Sequence, residues 1–292
     1  MSDKYDIFET HAHLDFFDNG EKDSIFFKLW KSCVENQVTK IVIPPISFES
    51  NFVIADLLKG KYQNCIYQAI GLHPKSAINT VLTNNKKEQL LKLYQQNDNV
   101  VAVKTGLDFS KTKLQNTQIQ HQIDSFRKLV YMAAELKLAV ILHIRDAWSE
   151  FLDVWDEMVE RLHTDNLEVP QTVVHCYNQR NLVQTKNIIS KGIQFLGIGG
   201  KIFTDLQLRE ILKEIPLENI VLETDSPYLK PPEYNTPQWI SEYAEYNNKK
   251  VKEINTPQSL VMIANEIANI KKVTVEQVIN TTYNNSVELF RL

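Results

Sequence analysis

Eight short β-branched or apolar runs, each bounded by polar or turn residues, recur along the chain with helix-like segments between them. They are Tyr5–Thr10, Lys40–Pro44, Tyr67–Leu72, Val100–Thr105, Ala139–His143, Thr172–His175, Gln194–Ile198 and Asn219–Glu223. In the intervening segments Phe26, Leu29, Trp30 and Cys33 fall at i, i+3, i+4 and i+7, as do Phe126, Leu129, Val130 and Ala133. That spacing is the apolar stripe of an amphipathic helix. A strand, a helix and their loops occupy roughly 20 to 40 residues, so eight such units predict a (β/α)8 TIM barrel, a single domain over residues 1–292. A doubly wound open sheet is the alternative, because alternation alone does not say whether the sheet closes. The stretch Lys230–Thr256 contains Pro231-Pro232, Pro237 and the charged run Lys249–Lys252. It reads as a long loop with helical pieces, ahead of a C-terminal helical pair whose final part is Val275–Phe290.

Apolar residues make up 43% of the chain and charged residues 23%, enough to bury one large core. A net charge of −4 excludes a broad basic face of the kind that binds nucleic acid passively. An enzyme that grips phosphate through metal ions does not need one. Cys33, Cys65 and Cys176 are odd in number and form no CxxC pair, which points to a reducing compartment and to buried thiols that pack as small hydrophobes. The opening MSDKYDIFETHAHLD leads straight into the first strand, and no run approaches the ~20 apolar residues that span a bilayer. The expectation is a soluble, monomeric protein of the cytoplasm without a membrane partner, with nuclear residence left open.

The histidines carry the chemistry. Five of the seven lie at or just past the C-terminal ends of the expected strands, where barrel enzymes place their active-site residues. His11 and His13 form His-x-His, and residues two apart in an extended segment face the same side. His143 ends AVILH, His175 ends VVH and Asp225 follows IVLET. Any one of them is equally a structural histidine or a helix-capping aspartate, but five on one rim are not. Neutral imidazoles and a carboxylate hold a divalent ion while leaving positions open to water and substrate, and Asp225 suits a second role as proton acceptor. Such a site hydrolyses phosphoryl or carbonyl compounds. Imidazole ligation suits zinc, and carboxylate with water suits magnesium or manganese, so one or two ions of Mg2+, Mn2+ or Zn2+ are expected.

The segments THAHLDFF at 10–17, IGLHP at 70–74, GLDF at 106–109, LHIRDA at 142–147, VHCYN at 174–178 and LETDSPYL at 222–229 carry a resemblance that runs nearly end to end. With NTP at 255–257 and NNSVELF at 284–290, they resemble the successive signatures of the TatD-type metal-dependent deoxyribonucleases, a branch of the amidohydrolase superfamily. The resemblance implies a barrel that removes nucleotides from DNA, with His11, His13, His143, His175 and Asp225 around the metal. It also implies that His73 and Arg145 lie near the substrate phosphate. From the residues alone, Arg145 is either a phosphate fork or the partner of Asp146, and His73 is either a substrate contact or a side chain hydrogen-bonded beside Pro74. Among the aromatic residues that follow strand ends, Phe16 or Phe17 and Tyr177 are expected near unpaired bases, whereas Phe109 and Tyr228 are expected to pack.

One position departs from the family pattern. Where it has a glutamate that bridges two metals, this chain reads VKTGLD and places Lys104. Three outcomes stand open: a Lys104 ammonium replaces one of two ions, a carboxylated Lys104 ligates two, or metal binding is crippled and the protein only binds. A hydrolase of small esters, amides or phosphoesters remains the other enzymatic reading, since one fold and metal site serve many substrates.

Overall fold

The computed structural model describes residues 5–18, 25–241, 244 and 253–292; the charged run 249–252 and the first four residues lie outside them. Eight strands form one sheet in sequential order: β1 (Ile7–Glu9), β2 (Val38–Ile43), β3 (Ile66–Gly71), β4 (Val100–Asp108), β5 (Ala139–Arg145), β6 (Thr172–His175), β7 (Phe195–Ile198) and β8 (Ile220–Leu222). The described pairings between neighbours are parallel, helices alternate with the strands, and the fold is a (β/α)8 barrel. By contact density the chain divides into two compact units. One comprises residues 1–43, 176–186 and 196–287, and the other residues 44–175, 187–195 and 288–292.

In the second unit every residue of β3 and β4 is buried, which is why these strands read in the sequence as near-continuous apolar runs. The helix Asn116–Leu136 lays the fully buried Phe126, Leu129, Val130 and Ala133 against this layer. β4 and β5 continue past their expected ends at Thr105 and His143, in one unbroken register from Ala102↔Ala139 to Asp108↔Arg145. Gly106 permits this. It pairs with His143 at φ +152°, and a Cβ there would stand 2.0 Å from the His143 carbonyl oxygen. Asn51, fully buried, fastens the end of β3 by donating to the Gly71 carbonyl and accepting from the Gly71 N–H, both at 2.8 Å.

In the first unit the edges of β1 and β8 are joined. The Thr10 N–H donates to the Leu222 carbonyl at 3.0 Å, the Asp225 N–H to the His11 carbonyl at 2.9 Å, and the His13 N–H to the Ser226 carbonyl at 2.8 Å. The Glu9 carboxylate lies under this seam and accepts from the N–H groups of His11 and Thr224, each at 3.0 Å. Asn255 donates its side-chain amide to the Thr224 carbonyl at 3.2 Å, so the NTP segment supports the same seam. The loop expected over 230–256 contains a 3-10 turn at Gln238–Ile240, and the helical pair that follows is Leu260–Lys271 and Val275–Phe290.

Two substitutions test these supports. Gly106→Ala combines an overpacked backbone contact with an unfavourable φ and is expected to lower stability by roughly 2–5 kcal/mol in chemical denaturation. Glu9→Ala orphans two buried N–H donors and is expected to cost roughly 2–4 kcal/mol, whereas Glu9→Gln keeps an acceptor oxygen and retains most of the stability. Equal losses for the alanine and glutamine variants at position 9 contradict the seam argument.

Candidate metal centre and its surroundings

The seam sets the positions of His11, His13 and Asp225. β1 ends at Glu9, so both histidines lie beyond the strand proper, yet their backbone is tied to residues 222–226. The Asp225 Oδ1 stands 3.5 Å from His13 Nε2 and 3.9 Å from His11 Nε2. Donors about 2.1 Å from a tetrahedral ion stand about 3.4 Å apart, so imidazole nitrogens and a carboxylate oxygen at these separations fit one divalent cation. Asp146, Cys176 and Asp225, which follow β5, β6 and the β8 segment, adopt left-handed φ values of 53°, 51° and 56°. Such conformations are uncommon outside glycine, and here they turn the chain at the strand ends.

Beneath the rim lie carboxylates not singled out in the sequence. Glu9 and Glu223 are each 1% exposed or less. Burial pushes the Glu9 carboxyl up to about 8 against the downward pull of its Thr224 and His11 donors, and the Asp225 charge adds to the rise. Glu223 Oε1 accepts from the Cys176 N–H at 2.5 Å, and Gly197 leaves room for it, since a Cβ there would stand 2.3 Å from Glu223 Oε2. Burial, followed by the Glu223 charge, raises the Cys176 thiol to about 12, while Lys201 pulls it down. Burial thus disfavours the thiolate form that a nucleophile needs. The readable signal was the pair of Glu-Thr steps in Glu9-Thr10-His11 and Glu223-Thr224-Asp225, each placing a carboxylate two residues below a rim side chain.

The second unit holds its own cluster. His143 Nε2 lies 2.9 Å from Asp108 Oδ2, and His143 Nδ1 lies 3.3 Å from His73 Nε2. His73 caps the turn of helix Pro74–Ala77, its Nδ1 accepting from the Lys75 N–H at 3.2 Å. The hydrogen-bonded arrangement beside Pro74 is thus present, and it also touches His143. Burial works to raise the Asp108 carboxyl, but hydrogen bonds from His143 and Ser110 outweigh it and hold the group well below the usual carboxylate range. Asp108, inside GLDF, was not picked out from the sequence. His143 and His175 stack with ring centroids 5.9 Å apart.

Lys104 sits on β4, fully buried, in register with Gly71 and Ile141. Arg145 ends β5 with an exposed side chain and makes no ion pair with Asp146. The aromatic residues differ from expectation. Phe17 and Tyr177 are each 1% exposed, Tyr177 donating its hydroxyl to Thr185 Oγ1 at 2.7 Å, so neither ring has a face open to a base. Phe16, the alternative to Phe17, stacks on His13 at 5.3 Å, and Tyr228, 44% exposed, meets Phe16 edge-on at 6.2 Å. No described helix is long and apolar enough to cross a membrane.

Comparison with known proteins agrees with this architecture. The family model of TatD related DNase matches residues 8–291. The uncharacterized metal-dependent hydrolase YabD of Bacillus subtilis is 27% identical over 292 residues, covering 98% of this chain and 99% of that protein. The 3'-5' ssDNA/RNA exonuclease TatD of Yersinia pseudotuberculosis is 31% identical over 185 residues, covering 62% of this chain and 65% of the enzyme, just under two thirds of its length. A hydrolase of the TatD family from Entamoeba histolytica has the same fold, with a TM-score of 0.80 at 23% identity and 98% of both chains covered. The chain belongs to the TatD related DNase family and is a metal-dependent hydrolase.

Proposed function

We propose that this protein hydrolyses phosphodiester bonds of DNA, removing nucleotides from a strand end. The observation that carries the reading is the cluster of His11 and His13 around the Asp225 carboxylate, in a chain whose relatives include 3'-5' ssDNA/RNA exonucleases. His11, His13, His175 and Asp225 would hold the metal, with His143 as the remaining imidazole. A divalent ion held there would supply Lewis acidity, stabilising charge on phosphoryl oxygens and lowering the pKa of water toward neutrality. The Asp225 carboxylate takes the proton of the attacking water as the new oxygen–phosphorus bond forms and the bond to the departing nucleotide breaks. Arg145, whose side chain is exposed, offers a guanidinium to a phosphate. The accessible rings of Phe16 and Tyr228 offer a stacking surface to an unpaired base. A net charge of −4 leaves phosphate recognition to these local groups rather than to a general basic field.

The test is nucleotide release from end-labelled single- and double-stranded DNA and from RNA, with magnesium, manganese or zinc added, beside a panel of small esters and phosphoesters. Stepwise shortening of DNA, abolished by chelator, is expected, and the H11A/H13A double variant is expected to lose at least about 100-fold. No release by either protein sinks the reading, and preference for a small ester replaces it.

Metal count tests the role of Lys104. Lys104 is fully buried and matches the position of the bridging carboxylate in the family pattern; as an ammonium it would exclude one ion, so one ion per chain is expected from elemental analysis and two in Lys104→Glu. Two ions in the unaltered protein, with added carbon dioxide in its native mass, instead indicate a carboxylated lysine. A large gain of nuclease activity in Lys104→Glu indicates a crippled site.

A further inference from the structure

The hydrogen bonds around His143 form a chain with one unambiguous donor at one end and one unambiguous acceptor at the other. The Lys75 backbone N–H can only donate, so the His73 Nδ1 that it meets at 3.2 Å carries no proton. A neutral His73 then bears its proton on Nε2, which faces His143 Nδ1 at 3.3 Å. That contact makes His143 Nδ1 the acceptor and places the His143 proton on Nε2. His143 Nε2 faces Asp108 Oδ2 at 2.9 Å, and an ionised carboxylate can only accept. Every link runs in the same direction. Reversing any one of them leaves two lone pairs or two protons facing each other.

Asp108 is built to stay in place. It is 1% exposed, and its backbone is clamped on both sides by the fully buried Gln122, whose Oε1 accepts from the Asp108 N–H at 2.7 Å and whose Nε2 donates to the Asp108 carbonyl at 3.0 Å. Oδ1 is occupied by the Ser110 N–H at 3.0 Å, which leaves Oδ2 for His143, with the Lys75 ammonium 3.7 Å away. The β4–β5 register places Gly106 opposite His143, and the absent side chain there lets the two strands run on to this contact.

We propose that Asp108 is a positioning residue: it holds His143 in the Nε2–H tautomer so that Nδ1 is its metal-donor atom, and His73 covers that nitrogen reversibly. This rests on the reading of His143 as one of the metal-holding imidazoles. A ligating histidine commonly donates its other N–H to a carboxylate, which fixes the ring and raises the basicity of the donor nitrogen, and losing that carboxylate typically costs about 10–100-fold in metal affinity. A coordinating His143 exchanges the His73 Nε2–H contact for the ion. No covalent step is involved.

The experiment is imidazole 15N NMR on the metal-free full-length protein, with zinc affinity measured by calorimetry on the same samples. The unaltered protein is expected to show His73 and His143 both protonated on Nε2. Asp108→Ala is expected to shift His143 toward Nδ1–H and to weaken zinc binding about 10–100-fold. His73→Ala is expected to leave the His143 tautomer unchanged, and it keeps the inference testable where Asp108→Ala fails to fold. A His143 protonated on Nδ1 in the unaltered protein, or zinc affinity unchanged in Asp108→Ala, overturns the proposal. Both readouts are independent of substrate, so a protein that passes them and releases no nucleotides refutes the nuclease reading and leaves the role of Asp108 standing.

Discussion

The backbone seam between the His-x-His segment and the segment after β8 is the constraint on which the candidate metal centre depends. Thr10 and Leu222 are 212 residues apart in sequence, yet their main chains and the Thr10 hydroxyl meet within 3.0 Å. Two further backbone bonds carry the pairing past the strands to His13 and Ser226. Imidazoles and a carboxylate with no secondary structure of their own are thereby held as firmly as if they stood on a ladder. Flexible loops would lose that order, since each ligand would have to be fixed at the cost of its own conformational entropy.

The seam is polar at its centre, which is unusual for a buried place. Glu9 accepts two backbone N–H groups that would otherwise be unsatisfied beneath the rim, and burial near Asp225 raises its carboxyl to about 8. Its double acceptor role explains why a carboxyl group is present where an apolar residue would leave two donors orphaned. Glu223 does a similar service for the Cys176 N–H, in space that Gly197 leaves open. Two glutamates two positions below His11 and Asp225 thus shape the centre from within.

The histidines divide into two environments. His11 and His13 face the Asp225 carboxylate, whereas His73 and His143 are wired to one another, to the Lys75 N–H and to Asp108. A proton can sit on either nitrogen of a neutral imidazole, and the neighbour of the other nitrogen decides which. The residue type is the same in both places. Its donor atom is chosen by the surroundings.

Periodicity alone specified the βα alternation, because strands buried on both faces must be apolar along their length and helices on one face only. Histidines at run ends marked the rim for the same reason, since a polar side chain at the end of an apolar run must find a partner or a ligand. The continuation of β4 to Asp108 escaped notice: Gly106 and Asp108 read locally as turn residues, and only the approach of the β5 backbone reveals why glycine belongs inside the strand. Glu9, Glu223 and Asp108 were passed over because an isolated acid near a strand end carries no local mark of what it accepts from. The exposure of Tyr228 and the burial of Phe17 and Tyr177 were equally illegible, as neighbouring rings in a turn differ only in which way the packed chain directs them. The sequence by itself determined which residue types lie on the rim; only the tertiary structure decided which atoms of theirs face one another, because that choice rests on hydrogen bonds between segments far apart along the chain.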